Sequence, residues 1–155
     1  MKRILFFALV VLSLASCKQN DWADWKAQNE LFLENNATQK GIITTPSGLQ
    51  YRIIYPGNTS DVRPNSTSVV VVDYTFSLIN GRVVEQNNNA RFSLSSVVSG
   101  FAEGLRKLHV HGDIELYIPW QLGYDSKGNG LEGNEFYIPP YSTLIYKVHL
   151  SAVTD

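Results

Sequence analysis

The stretch from Val69 to Leu78 constrains this chain more than any other. Val70, Val72, Tyr74, Phe76 and Leu78 alternate with Val71, Asp73, Thr75 and Ser77. A repeat of two puts the first set on one face of a β-strand and the second on the other. Asn80-Gly81 follows at once, a tight-turn signal, so Arg82 to Glu85 is expected to return antiparallel. A hairpin with one apolar face cannot stand alone. It needs more strands and a covering layer.

The rest of the chain supplies both. Leu49 to Tyr55 alternates, with Leu49, Tyr51, Ile53 and Tyr55 sharing a face. Asp113 to Ile118 does so with Ile114, Leu116 and Ile118 inward, and Thr143 to Ala152 with Leu144, Tyr146, Val148 and Leu150 inward. Asn87-Asn88-Asn89 reads as a loop and Arg91 to Leu94 as a short strand. Ser99 to Leu108 reads as a short helix with Phe101, Leu105 and Leu108 at helical spacing. Pro119 to Pro140 reads as a long loop. Nearer the start, Asp21 is placed to cap a helix that begins at Trp22 and ends near Asn35-Asn36. Trp22, Trp25, Asn29 and Phe32 form its stripe, expected to pack onto the domain. The expected fold is α+β: an antiparallel sheet of five to six strands wrapped around one short helix, with a short N-terminal helix.

The first residues have a different character. Lys2 and Arg3 precede the apolar run Ile4 to Leu14, and the small residues Ala15 and Ser16 lead to Cys17, the sole cysteine. Positive, apolar, small is the order of a secretory signal. The run is too short to span a bilayer as a permanent helix. Leu14-Ala15-Ser16-Cys17 resembles the lipobox of bacterial lipoproteins. That resemblance implies removal of residues 1–16 and acylation of the Cys17 thiol, with two or more chains giving stable anchorage. The expected organisation is a signal peptide at 1–16, a lipidated tether and helix at 17–46, and one globular domain at 47–155. The expected location is the cell envelope, lipid-anchored, with Lys18 after the acylated residue pointing to the outer membrane of a Gram-negative bacterium.

Several chemistries find no support. The formal net charge is −1, and losing Lys2 and Arg3 makes the mature chain more acidic, so nothing recommends nucleic acid as a partner. Gly128-Asn129-Gly130-Leu131-Glu132-Gly133 matches a dinucleotide pattern, yet Pro139-Pro140 follows where that pattern needs a helix, so a surface loop is expected. His109 and His111 lack a third metal ligand and read as exposed residues at a helix end, so no metal site is expected. Ser95, Ser96 and Ser99 have no His–Asp pair for a triad. Glu85, Glu103 and Glu115 show no spacing that pairs their carboxylates.

What remains is an ordered set of motifs: Ser47-Gly48-Leu49-Gln50-Tyr51, Val72-Asp73-Tyr74, Asn80-Gly81, Val97-Val98-Ser99-Gly100-Phe101-Ala102-Glu103-Gly104-Leu105, Ile118-Pro119 to Gly123-Tyr124, and Ile138-Pro139-Pro140 with Ser142-Thr143-Leu144-Ile145-Tyr146. Together they resemble the FKBP-type peptidyl-prolyl isomerases, the first of them the exported bacterial branch. The resemblance implies a shallow apolar pocket between helix and sheet that holds a proline ring, with no cofactor. It implies Phe101 as the floor, Tyr74 and Tyr146 as walls, and Val98 and Ile138 at the rim. The Ile138 N–H is then a donor to a substrate carbonyl, and the Tyr124 hydroxyl a donor to the carbonyl before the proline. Val84-Glu85 stands where the family usually carries Phe-Asp, with Glu85 in the polarising role, and a further pocket aromatic is replaced near Ala90.

On this reading the partners are proline-containing polypeptides, a monomer is favoured with the oligomeric state left open, and the domain helps envelope proteins to fold. A second reading stays open on Val84 and Ala90: a catalytically weak FKBP-like binding or chaperone module of an envelope assembly.

Overall fold

A computed structural model describes residues 21–154 of the chain. The expected signal peptide, Cys17 with its expected lipid, the expected tether to Asn20 and the expected capping role of the Asp21 side chain lie outside the described residues. The elements are α1 (Asp21–Ala37), β1 (Ile43–Thr44), β2 (Gln50–Tyr55), β3 (Val69–Ser77), β4 (Val83–Ser93), α2 (Ser99–Leu105), β5 (Asp113–Ile118) and β6 (Leu144–Thr154). One six-stranded sheet runs in the order β1-β2-β5-β6-β3-β4, antiparallel throughout. The α+β expectation holds, with the sheet at six strands.

The alternation in β3 does what its sequence requires. Val70, Val72, Tyr74 and Phe76 are buried, and Leu78 follows them. Their neighbours across the ladder are Val153, Leu150, Val148 and Tyr146 of β6. At the hairpin, Gly81 N–H bonds to Leu78 O and Leu78 N–H to Arg82 O. The loop is therefore three residues, closed by Gly81 at φ +82°, a left-handed position that glycine occupies without strain.

β4 departs from expectation. Asn87-Asn88-Asn89 is not a loop but part of one continuous strand. Tyr74 pairs with Asn87 and Val72 with Ala90, so Asp73 alone faces both Asn88 and Asn89. That is a β-bulge. Asn89 takes φ +55°, and its N–H donates to Asp73 Oδ1 at 2.7 Å. The side-chain carboxylate replaces the ladder partner the bulge removes, which is why a polar run serves in mid-strand.

α2 crosses the concave face and lies very close to β5. A Cβ on Gly100 would come 2.4 Å from Ile118 Cγ2, and one on Gly104 2.3 Å from Leu116 Cδ2. These glycines, four apart, give the helix a flat side for the sheet. α2 stops at Leu105 rather than Leu108, but Leu108 is still buried.

α1 packs its stripe onto the domain as expected. Trp22 meets Tyr137 at 6.4 Å between ring centroids, and Phe32 meets Tyr117 at 6.1 Å. Trp25 Nε1–H donates to Ser142 Oγ at 3.0 Å. Asn36 Nδ2–H donates to Gln50 Oε1 at 2.8 Å, at the far end of the helix. No described helix is long and apolar enough to cross a membrane.

Candidate functional site

The concave face of the sheet and α2 do not close on each other completely. They leave a hollow of about 280 Å³ lined by Tyr74, Glu85, Phe92, Ser96, Val97, Val98, Phe101, Tyr124 and Tyr146. Phe101 projects from the first turn of α2 and forms the floor. Its ring is 4.9 Å from that of Tyr146 and 6.1 Å, edge-on, from that of Phe92. Tyr74 packs against both Phe92 and Tyr146, at 5.7 and 5.9 Å. Tyr146 in turn stacks on Phe76 at 4.6 Å with an interplanar angle of 8°. Tilted and edge-on contacts of this kind fix each ring by its neighbours.

Six of the residues named from sequence meet here: Tyr74, Glu85, Val98, Phe101, Tyr124 and Tyr146. Val84 and Ile138 do not. They line an adjoining hollow of about 300 Å³ with Phe76, Asn129 and Phe136. Glu85, Tyr124 and Tyr146 border both hollows, so the two form a continuous groove.

Phe92 was missed, and the bulge explains why. Before it, Glu85 and Asn87 stand opposite Phe76 and Tyr74. After it, Ala90 and Phe92 stand opposite Val72 and Val70. The inward parity switches from odd to even. Counting on without the bulge would turn Asn89 and Arg91 inward and Phe92 outward, whereas with it Phe92 faces the hollow, two residues beyond Ala90. Phe136 belongs to the loop after Tyr124, where no periodic pattern marks it.

The Ile138 N–H cannot serve as the substrate donor. It is bonded to Asn129 O at 2.8 Å, and Asn129 N–H returns a bond to Ile138 O at 2.9 Å. This pair pins the glycine-rich loop, which is a surface turn with no helix after it. The Val98 N–H, at the edge of the first hollow, has no partner among the described residues. The Tyr124 hydroxyl has none either.

The electrostatics keep the site neutral apart from one carboxylate. Burial, then the Glu85 carboxylate as acceptor and as repelling charge, pushes the Tyr74 hydroxyl well above the ordinary tyrosine range. Burial does the same to Tyr146, aided by repulsion from its neighbours Tyr124, Tyr74 and Glu85. Tyr124 is raised by burial and then by Glu85. All three phenols therefore stay protonated, and hence hydrogen-bond donors, far above neutral pH.

The discarded chemistries stay apart. Glu103 accepts from Ser47 Oγ, and Glu115 from Arg52 Nε–H and Tyr117 OH, both away from Glu85. Ser99 Oγ donates to Leu122 O, and none of Ser95, Ser96 and Ser99 bonds to a histidine or carboxylate. His109 is not the free surface residue expected. It is half-buried, with its Nδ1–H donating to Asp61 O and its Nε2 accepting from Arg63, each at 2.9 Å. Among the described residues no group of three His, Cys, Asp or Glu is disposed to hold a metal.

Comparison with known proteins gives a consistent picture. The family described as FKBP-type peptidyl-prolyl cis-trans isomerase matches residues 60–151. The domain described as amino-terminal to such isomerases matches residues 11–53. The FKBP-type 22 kDa peptidyl-prolyl cis-trans isomerase of Escherichia coli is 38% identical over 80% of this chain and 59% of its own. The outer membrane protein MIP of Legionella longbeachae is 35% identical over 83% of this chain and 54% of its own. The chain thus spans little more than half the length of these relatives. The crystal structure of FkpA from Escherichia coli superposes with a TM-score of 0.77 at 33% identity, covering 85% of this chain and 60% of that one. A peptidyl-prolyl isomerase structure from Pseudomonas syringae shares the fold, with a TM-score of 0.78 at 22% identity over 90% of this chain and all of that one.

Proposed function

The chain belongs to the FKBP-type peptidyl-prolyl cis-trans isomerase family, and we propose that it catalyses cis/trans exchange of Xaa-Pro bonds in polypeptides of the bacterial envelope. The observation that carries this reading is the aromatic hollow itself. It sits at the small end of ligand-pocket volumes, has four rings (Tyr74, Phe92, Tyr124 and Tyr146) around the Phe101 floor, and carries two donors with no partner among the described residues, Tyr124 OH and Val98 N–H.

The reaction needs no nucleophile. An Xaa-Pro bond is held near planarity by amide resonance, with a barrier of about 20 kcal/mol, and uncatalysed exchange takes tens to hundreds of seconds. The planar form is the more dipolar one. An apolar pocket disfavours it relative to the twisted form, in which conjugation is broken. Phe101, Tyr74 and Tyr146 then hold the pyrrolidine ring while the preceding carbonyl rotates, with contacts strongest at the twisted geometry. Tyr124 donates to the carbonyl before the proline. Val98 N–H takes over the donor role first assigned to Ile138. A thousandfold acceleration requires only about 4 kcal/mol, within reach of a few packed rings and one or two hydrogen bonds.

The envelope assignment rests on the sequence of residues 1–17: a positive, apolar, small-residue leader that ends at a lone cysteine. We propose removal of residues 1–16, acylation of Cys17 and outer-membrane anchorage. The name of one relative, outer membrane protein MIP, agrees with an envelope location. Two experiments test the reading. Refolding of a protein limited by proline isomerisation is accelerated by the chain, and a slow phase left unaltered would refute the isomerase. Radiolabelled palmitate enters the wild type but not Cys17→Ser, and equal labelling of both would refute the anchor.

A further inference from the structure

We propose that α1 is a clamp on the pocket loop, with Asn29 and Trp25 as positioning residues that hold the Tyr124 and Ile138 walls in place. Asn29 is polar, yet wholly buried. A buried amide persists only where its hydrogen bonds are met, and both sides of this one are used. Its Oδ1 accepts from the Thr143 N–H at 2.7 Å, and its Nδ2–H donates to Trp25 O at 2.8 Å. Trp25 Nε1–H reaches Ser142 Oγ at 3.0 Å, and that hydroxyl donates to Pro139 O at 2.7 Å. One helix therefore grips this segment at two adjacent residues, Ser142 and Thr143, and Ser142 passes the hold on to Pro139.

The grip continues into the site. Ile138 is the next residue back, and its N–H and carbonyl both pair with Asn129. Tyr141 N–H donates to Asp125 O, and Gly128 N–H to Tyr124 O. Tyr124 and Ile138 sit on loops with no long strand or helix to fix them, and these bonds tie both loops to α1. Tyr141 also holds φ +62°, an unusual backbone for a side chain of its size, so this turn needs an external restraint to persist. The other end of α1 is fastened elsewhere, by Asn36 on Gln50 of β2. Loosening the two ends should therefore have different consequences for the pocket.

The inference rests on the isomerase reading only for its kinetic readout. Trp25→Phe keeps an apolar ring against the core and deletes one donor, and Asn29→Leu keeps the bulk and deletes both bonds. Asn36→Ala loosens the far end. Each is compared with wild type as the full chain, at a temperature where circular dichroism shows it folded. The expected result is a KM for a short Xaa-Pro peptide raised about fivefold in Asn29→Leu, with kcat little changed, because a smaller fraction of the chain presents the competent loop. Trp25→Phe gives a smaller rise and Asn36→Ala none. Amide exchange at Ile138 accelerates in the first two, while that at Leu116 in β5 does not. An Asn29→Leu or Trp25→Phe protein with wild-type KM and wild-type exchange at Ile138 would overturn the clamp, as would an equal KM rise in Asn36→Ala. If the wild type shows no isomerase activity, the function proposed above fails, and the exchange at Ile138 still decides the clamp.

Discussion

Phe101 and Tyr146 come from different layers and meet with ring centroids 4.9 Å apart, tilted by 59°. Helix and sheet thus close the bottom of the hollow together, and each ring is 8% exposed or less. Stability and activity are coupled at this contact. Phe101→Ala removes a buried aromatic and should cost about 3–5 kcal/mol. Phe101→Leu should cost about 1–2 kcal/mol while removing the ring that faces the proline. Denaturant unfolding reads the first quantity and kcat/KM the second. The Leu variant should remain folded yet lose most of its activity.

Tyr124→Phe separates chemistry from packing. The hydroxyl bonds to nothing among the described residues, so its loss should leave stability unchanged within about 0.5 kcal/mol. If it donates to a substrate carbonyl, kcat/KM should fall about fivefold, the worth of one neutral hydrogen bond. A wild-type kcat/KM in this variant would remove Tyr124 from the mechanism.

Alkaline behaviour follows from the buried phenols. Tyr74, Tyr124 and Tyr146 are all raised in the folded state, chiefly by burial. A folded value above the unfolded one, about 10, means that the folded chain holds these protons more tightly. Their contribution to stability is complete below about pH 10 and is lost as pH rises from there through the folded values. Activity should accordingly stay level from neutral pH to about 10. Glu85→Gln removes a charge that disfavours tyrosinate, so tyrosinate absorbance should develop at lower pH in that variant than in wild type.

Gly104→Ala tests the seat of α2. The added methyl falls 2.3 Å from Leu116 Cδ2 and 2.7 Å from Leu116 Cδ1. Leu116 is fully buried and cannot swing away. Alanine gains about 1 kcal/mol of helix propensity, but overpacking a tight core costs about 1–3 kcal/mol. The expected net change in thermal unfolding is a loss of stability, with Phe101 displaced and kcat/KM reduced.

Most of the fold is legible because its strands bury one face. The alternation of β3, β5 and β6 alone gives their inward residues, and the Trp22, Trp25, Asn29 and Phe32 spacing gives the docked face of α1. Reading stops where periodicity does. Asn87-Asn88-Asn89 has loop composition, yet it pairs with β3, and the Asp73 carboxylate, sixteen residues from Asn89, takes the N–H that the bulge leaves over. That one bulge turns Phe92 inward, which no count of residues from Glu85 would show. The Ile138 assignment failed for a related reason. Whether a loop N–H is free depends on a pairing with Asn129, and no local pattern announces it. Val84 and Glu85 are neighbours in sequence, yet Val84 borders only the second hollow while Glu85 borders both, and the ladder is irregular here, between Phe76 and Ser77.

The account turns on whether the Phe101 hollow lowers the barrier to rotation about an imide bond. Exchange NMR on a short Xaa-Pro peptide, with the full chain added in catalytic amount, measures this directly. Cross-peaks between cis and trans resonances should grow in with wild type, and weaken together in Tyr124→Phe and Phe101→Leu. Cross-peaks no stronger than in peptide alone, at a protein concentration that shifts the Tyr74 and Phe92 resonances, would show a groove that binds proline without turning it.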